Sequence, residues 1–185
     1  MQELDDITIK SAARGNKKSF RAVYDYYSPF VWKLAYRTLK GDREAGEQVV
    51  QDIFIKVYNH LKGFKFSASF STWLYRIAYN ELLSFLNKRK KISARDVAYD
   101  DSIGGDEKNT YDNKELVAMV LNRLTPKERF LLVAREVNDI PFEDLATVTG
   151  DNSGALRTQV HRIKESIKTQ FADNVWVERS VIHAS

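Results

Sequence analysis

Two stretches of this sequence carry side chains in patterns that could act on a polyanion. The first, "GFKFSASFSTWLYRIAYNELLSFLNKRKK", interleaves aromatic and basic residues. Phe64, Phe66, Trp73, Tyr75 and Tyr79 offer flat faces for unstacked bases. Lys62, Lys65, Arg76, Lys88, Arg89, Lys90 and Lys91 offer charge for phosphates, and Ser67, Ser69, Ser71 and Asn80 offer hydrogen bonds. Binding of a nucleic-acid single strand uses all three. Aromatics at helical spacing also build cores, and Trp73 and Phe85 fit that role; the loop phenylalanines and Tyr79 are the better stacking candidates. The second stretch, "SGALRTQVHRIKESIK", sets Leu156, Val160, Ile163 and Ile167 on one stripe. Arg157, His161 and Lys164 fall on another, beside Thr158 and Arg162. Arginines there could bond guanine edges or hold phosphates. The same spacing also describes the wet side of a surface helix, and spacing alone leaves both readings open.

The elements that must position these residues are helices. Apolar residues recur at three and four, and the chain has only three prolines and eight glycines. Asn16 is placed to cap a helix carrying Phe20, Val23, Tyr24 and Tyr27. Ser28-Pro29 reads as the start of another, running to Lys40 before Gly41. Asp42 caps the next, which carries Val49, Val50, Ile53, Phe54, Val57, Tyr58 and Leu61 and stops near Gly63. After the loop a helix starts near Ser71 or Thr72 and runs into the basic stretch. A second helical set begins near Lys114, and Thr125-Pro126-Lys127-Glu128 reads as a capping box with Pro at the first helical position. "NDIP" ends that helix. A short helix from Phe142 to about Thr149 and the turn "GDN" precede the second stretch, with Ser153 as its cap. Two helices joined by a Gly-containing turn, the second one basic, match a helix-turn-helix.

Composition narrows the class. The 185 residues are 43% hydrophobic and 29% charged, with a net charge of +4. Residues 96–115 hold seven acids against two lysines, a net of −5, so the remainder carries +9. A basic protein interrupted by an acidic, Gly-containing connector suits nucleic acid. There is no cysteine, which excludes disulfides and thiolate metal sites. His60, His161 and His183 are dispersed, and no acid/base pair or phosphate-cradling Gly loop points to an enzyme or to a bound metal or cofactor. No apolar run approaches the roughly 20 residues that cross a bilayer. The acidic start "MQELDDITIK" lacks a signal-peptide core. A cytoplasmic protein with no membrane insertion is expected.

Three motifs in order, "EQVVQDIFIKVYNHL", "FSTWLYRIAYN" and "LTPKERFLLVAREVNDIPFEDLATVTGDNSGALRTQVHRIK", resemble a bacterial extracytoplasmic-function (ECF) sigma factor of the sigma-70 family. The resemblance runs from about Asn16 to Thr169. It implies an all-α chain of two small domains joined by a flexible acidic linker. Region 2, a helical bundle over residues 1–91, would bind core polymerase and recognise and melt the −10 element. Residues 92–113 would be the linker, and region 4, a helix-turn-helix over 114–171, would read the −35 element. Residues 172–185 form a tail matching no family motif.

The resemblance also implies roles. Gln48, Gln51, Asp52 and Phe54 correspond to residues that dock on the clamp coiled coil of the largest polymerase subunit; the flap of the second subunit is the other polymerase contact. Lys62, Phe64, Lys65, Phe66, Ser67, Arg76, Tyr79 and Asn80 correspond to the loop and helix that take a flipped −10 base. Position 79 is often Arg in the family. Ser153, Arg157, Thr158, His161 and Arg162 correspond to the −35 contacts. Implied partners are core RNA polymerase, promoter DNA, and an anti-sigma factor or other recruiting protein. The residues by themselves also admit a stand-alone helix-turn-helix regulator, which leaves Gln51–Phe54 and the loop aromatics unexplained, and a protein-interaction bundle.

Overall fold

The structure, a computed structural model, describes residues 3–93 and 119–170. All regular elements among them are helical. The acidic connector from 94 onward, the expected start near Lys114 and the tail from 171 lie outside the described residues.

Side-chain caps fix where most helices begin. Asp5 accepts from the Thr8 N–H at 2.8 Å and opens α1 (Asp6–Ala13). Asn16 accepts from Lys18 and Ser19 and opens α2 (Lys17–Thr38). Asp42 accepts from Ala45 at 3.0 Å and opens α3 (Arg43–His60). A 3₁₀ turn (Leu61–Gly63) and a loop lead to α4 (Phe70–Ser93), where Ser69 Oγ accepts from the Thr72 N–H at 3.1 Å. The end of α5 is described over 119–123. α6 (Pro126–Glu136) begins with the expected capping box between Thr125 and Glu128. α7 (Phe142–Thr149) ends on Gly150, whose φ of 80° is the left-handed conformation that glycine adopts without penalty. α8 is Ser153–Gln170.

Two expectations are corrected here. Ser28-Pro29 does not start a helix: α2 passes through Pro29 as one element of 22 residues. Pro29 forfeits one backbone hydrogen bond. Val23, Tyr27, Val31 and Leu34 lie on one buried stripe either side of it, and their packing outweighs the local signal. Ser153 is not the cap of α8. Asn152 Oδ1 accepts from the Gly154 and Ala155 N–H groups at 2.9 and 3.3 Å instead.

One continuous apolar core joins the two halves of the chain. Ile53 and Val57 of α3 and Leu74, Ala78 and Leu82 of α4 belong to it, as do Phe130, Leu145 and Leu156 from the second half. α6 packs on α2, and α7 packs on α4. The Tyr79 and Phe130 rings meet at 4.7 Å. Asn138, 2% exposed, donates to the Tyr75 hydroxyl at 2.9 Å and to the Phe30 carbonyl at 3.2 Å. A smaller cluster of Val120, Leu132, Ile163 and Ile167 fixes the far end of α8.

Candidate functional site

α8 keeps its apolar stripe inward: Leu156, Val160, Ile163 and Ile167 are buried. Arg157, Thr158, His161 and Arg162 are all exposed on the remaining face, while Ser153 is half-buried. Thr158 Oγ1 donates to the Gly154 carbonyl at 3.0 Å, which fixes its rotamer. Arg157 is not loose. Its guanidinium lies 5.2 Å from the Phe142 ring centroid, and Nη2 is 3.4 Å from Glu143 Oε1. Arg135 shares that ring, its guanidinium 5.0 Å from the centroid, and Nη1 donates to the Ile140 carbonyl. Phe142 thus gathers two guanidiniums at the mouth of the helix-turn-helix. Arg135 and Phe142 escaped the sequence reading. The signal was a basic residue closing one helix and an aromatic opening the next, separated only by a turn. Lys164 instead pairs with Glu136 at 3.2 Å and ties α8 to α6.

In the first half the loop and α4 divide their residues sharply. Lys62, Lys65 and Ser67 are exposed. Arg76 and Asn80 are exposed one helical turn apart on α4. Phe66 is half-buried and has a φ of 56°, a conformation rare for a bulky side chain. Two stacking candidates are corrected. Phe64 is 9% exposed and packs among Phe66, Phe70 and Trp73, with centroids 4.5 to 5.7 Å away. Tyr79 is 8% exposed and lies against Phe130 of the second half, and burial raises its pKa. Neither ring presents a free face to a base in this packing. Lys62, Lys65, Ser67, Arg76 and Asn80 remain exposed, with Phe66 half-buried beside them.

A third surface is a groove of about 780 Å³ between α2 and α3. Phe20, Tyr24, Trp32, Val50, Phe54 and Tyr58 line it, and Gln51 and Glu47 bring polar atoms. Its walls are edge-on aromatic pairs, Phe20 with Tyr58 at 4.9 Å and Tyr24 with Phe54 at 4.7 Å. Tyr24, Ile55 and Tyr58 are exposed large apolar side chains, 37 to 51% accessible. Contiguous exposed apolar surface of this kind marks an interaction site. α3 approaches α2 this closely because of Gly46, where a Cβ would stand 3.1 Å from the Trp32 ring. Of the expected docking residues, Gln51 lines the groove and is exposed, and Phe54, 4% exposed, is its floor. Gln48 is exposed and Asp52 half-buried on the same helix, outside the groove lining. Asp42 at the head of α3 accepts from the Ala45 N–H and pairs with Arg89 at 2.7 Å; both contacts hold its carboxyl below the usual range. That pair ties the basic end of α4 to α3.

Among the described residues no three His, Cys, Asp or Glu side chains are grouped to hold a metal ion. No helix among them is long and apolar enough to cross a membrane.

The sequence and fold have close counterparts. The family described as Sigma-70 region 2 matches residues 23–92. The RNA polymerase sigma-H factor of Pseudomonas aeruginosa is 30% identical over 180 residues, spanning 90% of this chain and 93% of that protein. The ECF RNA polymerase sigma factor SigW of Bacillus subtilis is 27% identical, spanning 89% and 95%. Among solved structures, the sigma factor RpoE in complex with the anti-sigma factor NepR from Bartonella quintana shares the fold. Its TM-score is 0.71 at 21% identity, with 85% of this chain and 99% of that one covered. CnrH in complex with the cytosolic domain of CnrY superposes with a TM-score of 0.69 at 20% identity, covering 91% and 97%. With the Pseudomonas aeruginosa sigma-H factor 30% identical across nearly the whole of both chains, and with the region 2 family on α2 to α4, the chain belongs to the sigma-70 family as an RNA polymerase sigma factor of the ECF type.

Proposed function

We propose that the three surfaces divide the work of transcription initiation, with no chemistry of the chain's own. The α2–α3 groove, with Gln51 on its rim and Phe54 as its floor, takes the clamp coiled coil of core RNA polymerase. The flap of the second subunit is the further polymerase contact, made by the second half. Lys62, Lys65, Phe66, Ser67, Arg76 and Asn80 receive the −10 strand. The helix-turn-helix reads the −35 element through Arg157, Thr158, His161 and Arg162, with Arg135 adding a phosphate contact beside Arg157. Residues 1–91 and 114–171 are then the two promoter-binding units, and 92–113 the tether between them. An anti-sigma factor or other recruiting protein is a further partner, and the cytoplasm is the place of action.

One observation carries this reading: Arg157, Thr158, His161 and Arg162 of α8 are all exposed while Leu156, Val160, Ile163 and Ile167 are buried. A helix so mounted presents an exposed cationic face to a groove of duplex DNA. The groove is tested by capture of purified core polymerase with the wild-type chain and with Gln51→Ala and Tyr58→Ala. The reading expects weaker capture by both variants at unchanged helix content. Equal capture by all three would refute the assignment of this surface.

A further inference from the structure

We infer that the N-terminal helix is a brace for the base-receiving loop, with Lys10 and Glu3 as positioning residues for Phe66 and the start of α4. This rests on the reading of the loop and α4 as the −10 surface. Phe66 holds a left-handed backbone conformation, which a bulky residue keeps only where its surroundings over-determine it. Two contacts do so. The Phe64 ring lies 4.5 Å away, and the Lys10 ammonium sits 5.0 Å from the Phe66 ring centroid. A cation over an aromatic face is attracted by its quadrupole. Asp6 stands one turn back on α1, 3.9 Å from the same ammonium, and helps direct it.

Glu3 holds the other end of the loop. Its Oε2 accepts from the Tyr27 hydroxyl at 2.9 Å and from the Ser71 N–H at 3.3 Å. Ser71 lies in the first turn of α4, where backbone N–H groups have no intrahelical acceptor and a carboxylate is favoured. The same helix carries Arg76 and Asn80. The Tyr27 hydroxyl in turn accepts from the Leu4 N–H at 3.1 Å, so the start of the chain is pinned to a fully buried side chain. α1 also packs on the 3₁₀ turn that carries Lys62. The chain before α2 therefore touches the turn that enters the loop, its strained residue and the helix that leaves it. Lys10 and Glu3 are themselves exposed, while Ile9 and Ala12 do the core packing of α1. Their contacts serve the shape of the loop more than the stability of the bundle.

The test uses the full chain assembled with core polymerase. Open-complex formation is timed on a duplex promoter and on the same promoter with a pre-opened −10 bubble. Lys10→Ala, Lys10→Arg, Glu3→Ala and Phe66→Ala are compared, with core affinity and thermal midpoint measured for each. The brace predicts that Lys10→Ala slows duplex opening about two- to fivefold, the worth of one exposed cation–π contact, and that Glu3→Ala, which removes the Ser71 N–H contact, slows it as well. The bubble template and core affinity should stay near wild type for both, the midpoint should hold for Lys10→Ala and fall for Glu3→Ala, which strands the Tyr27 hydroxyl, and Lys10→Arg should keep the wild-type rate. If Phe66→Ala slows opening while Lys10→Ala and Glu3→Ala do not, the brace is wrong and the base-receiving loop stands. Should Phe66→Ala leave opening unchanged, the loop assignment falls and the brace with it. Loss of opening, core affinity and midpoint together, without rescue by arginine, would reduce both residues to plain structural parts.

Discussion

Asn138 offers the sharpest quantitative test of how the two halves are joined. Its side-chain amide is buried and donates across the junction to the Tyr75 hydroxyl and the Phe30 carbonyl. Asn138→Ala removes both donations. The Phe30 carbonyl lies inside α2 and keeps helical surroundings, so its loss is the smaller. The Tyr75 hydroxyl is in a side chain only 1% exposed and is left without that partner, which costs about 1–3 kcal/mol. Asn138 Oδ1 has no partner in the wild type, so removing it recovers part of that cost. A net loss near the lower end, about 1–2 kcal/mol, is expected. Tyr75→Phe alone should also cost about 1 kcal/mol, but the double variant should cost less than the sum, because no stranded hydroxyl remains. Urea unfolding of the four proteins, with amide exchange across α4 and α6, measures this cycle. Strict additivity, or an exchange pattern in α4 blind to Asn138→Ala, would refute the claim that the halves share a hydrogen-bonded junction.

Three further outcomes follow from particular contacts. Arg157→Ala and Arg162→Ala should each lower −35-dependent transcription by about 1–3 kcal/mol per lost bidentate base contact, and a promoter with a scrambled −35 element should be indifferent to them. Arg129 is 3% exposed with Nε and Nη1 unpartnered among the described residues, so Arg129→Met should raise the thermal midpoint; a fall would show that the guanidinium has a favourable role. Lys127 pairs with Asp151 at 2.8 Å, and the ammonium holds the Asp151 carboxyl below its ordinary value of 3.8. The unfolded chain binds that proton more readily, so the pair's contribution is full above about pH 3.8 and fades as pH falls through the lower folded value. Asp151→Asn should remove that part of the acid unfolding curve, and an unchanged curve would contradict it.

Local chemistry made much of this fold legible. Asn16, Asp42 and the Thr125–Glu128 box act within three residues of themselves, so the sequence contains both partners of each bond. Pro29 misled for the opposite reason: its local preference for a helix start competes with a buried stripe that only the folded bundle creates. Asn152 and Ser153 are neighbours with equal capping chemistry, and one residue's difference in helix start decides between them. The exposed cationic face of α8 was legible because its apolar and polar stripes alternate in sequence. The proposed −10 surface was only half legible. Arg76 and Asn80 share a face by helical spacing, but the burial of Tyr79 depends on Phe130 in the other half, and no periodicity carries that information. The brace at Glu3 and Lys10 was invisible for the same reason.

As a sigma factor, this chain gives core polymerase its promoter specificity. The most direct measurement is run-off transcription from fragmented genomic DNA with purified core enzyme, with start sites mapped in the presence and absence of the protein. A small set of discrete start sites is expected, each preceded by shared −35 and −10 sequences, appearing only when both components are present and vanishing with Arg157→Ala/Arg162→Ala. Start sites identical to those of core enzyme alone, alongside tight sequence-specific duplex binding by the free protein, would contradict it.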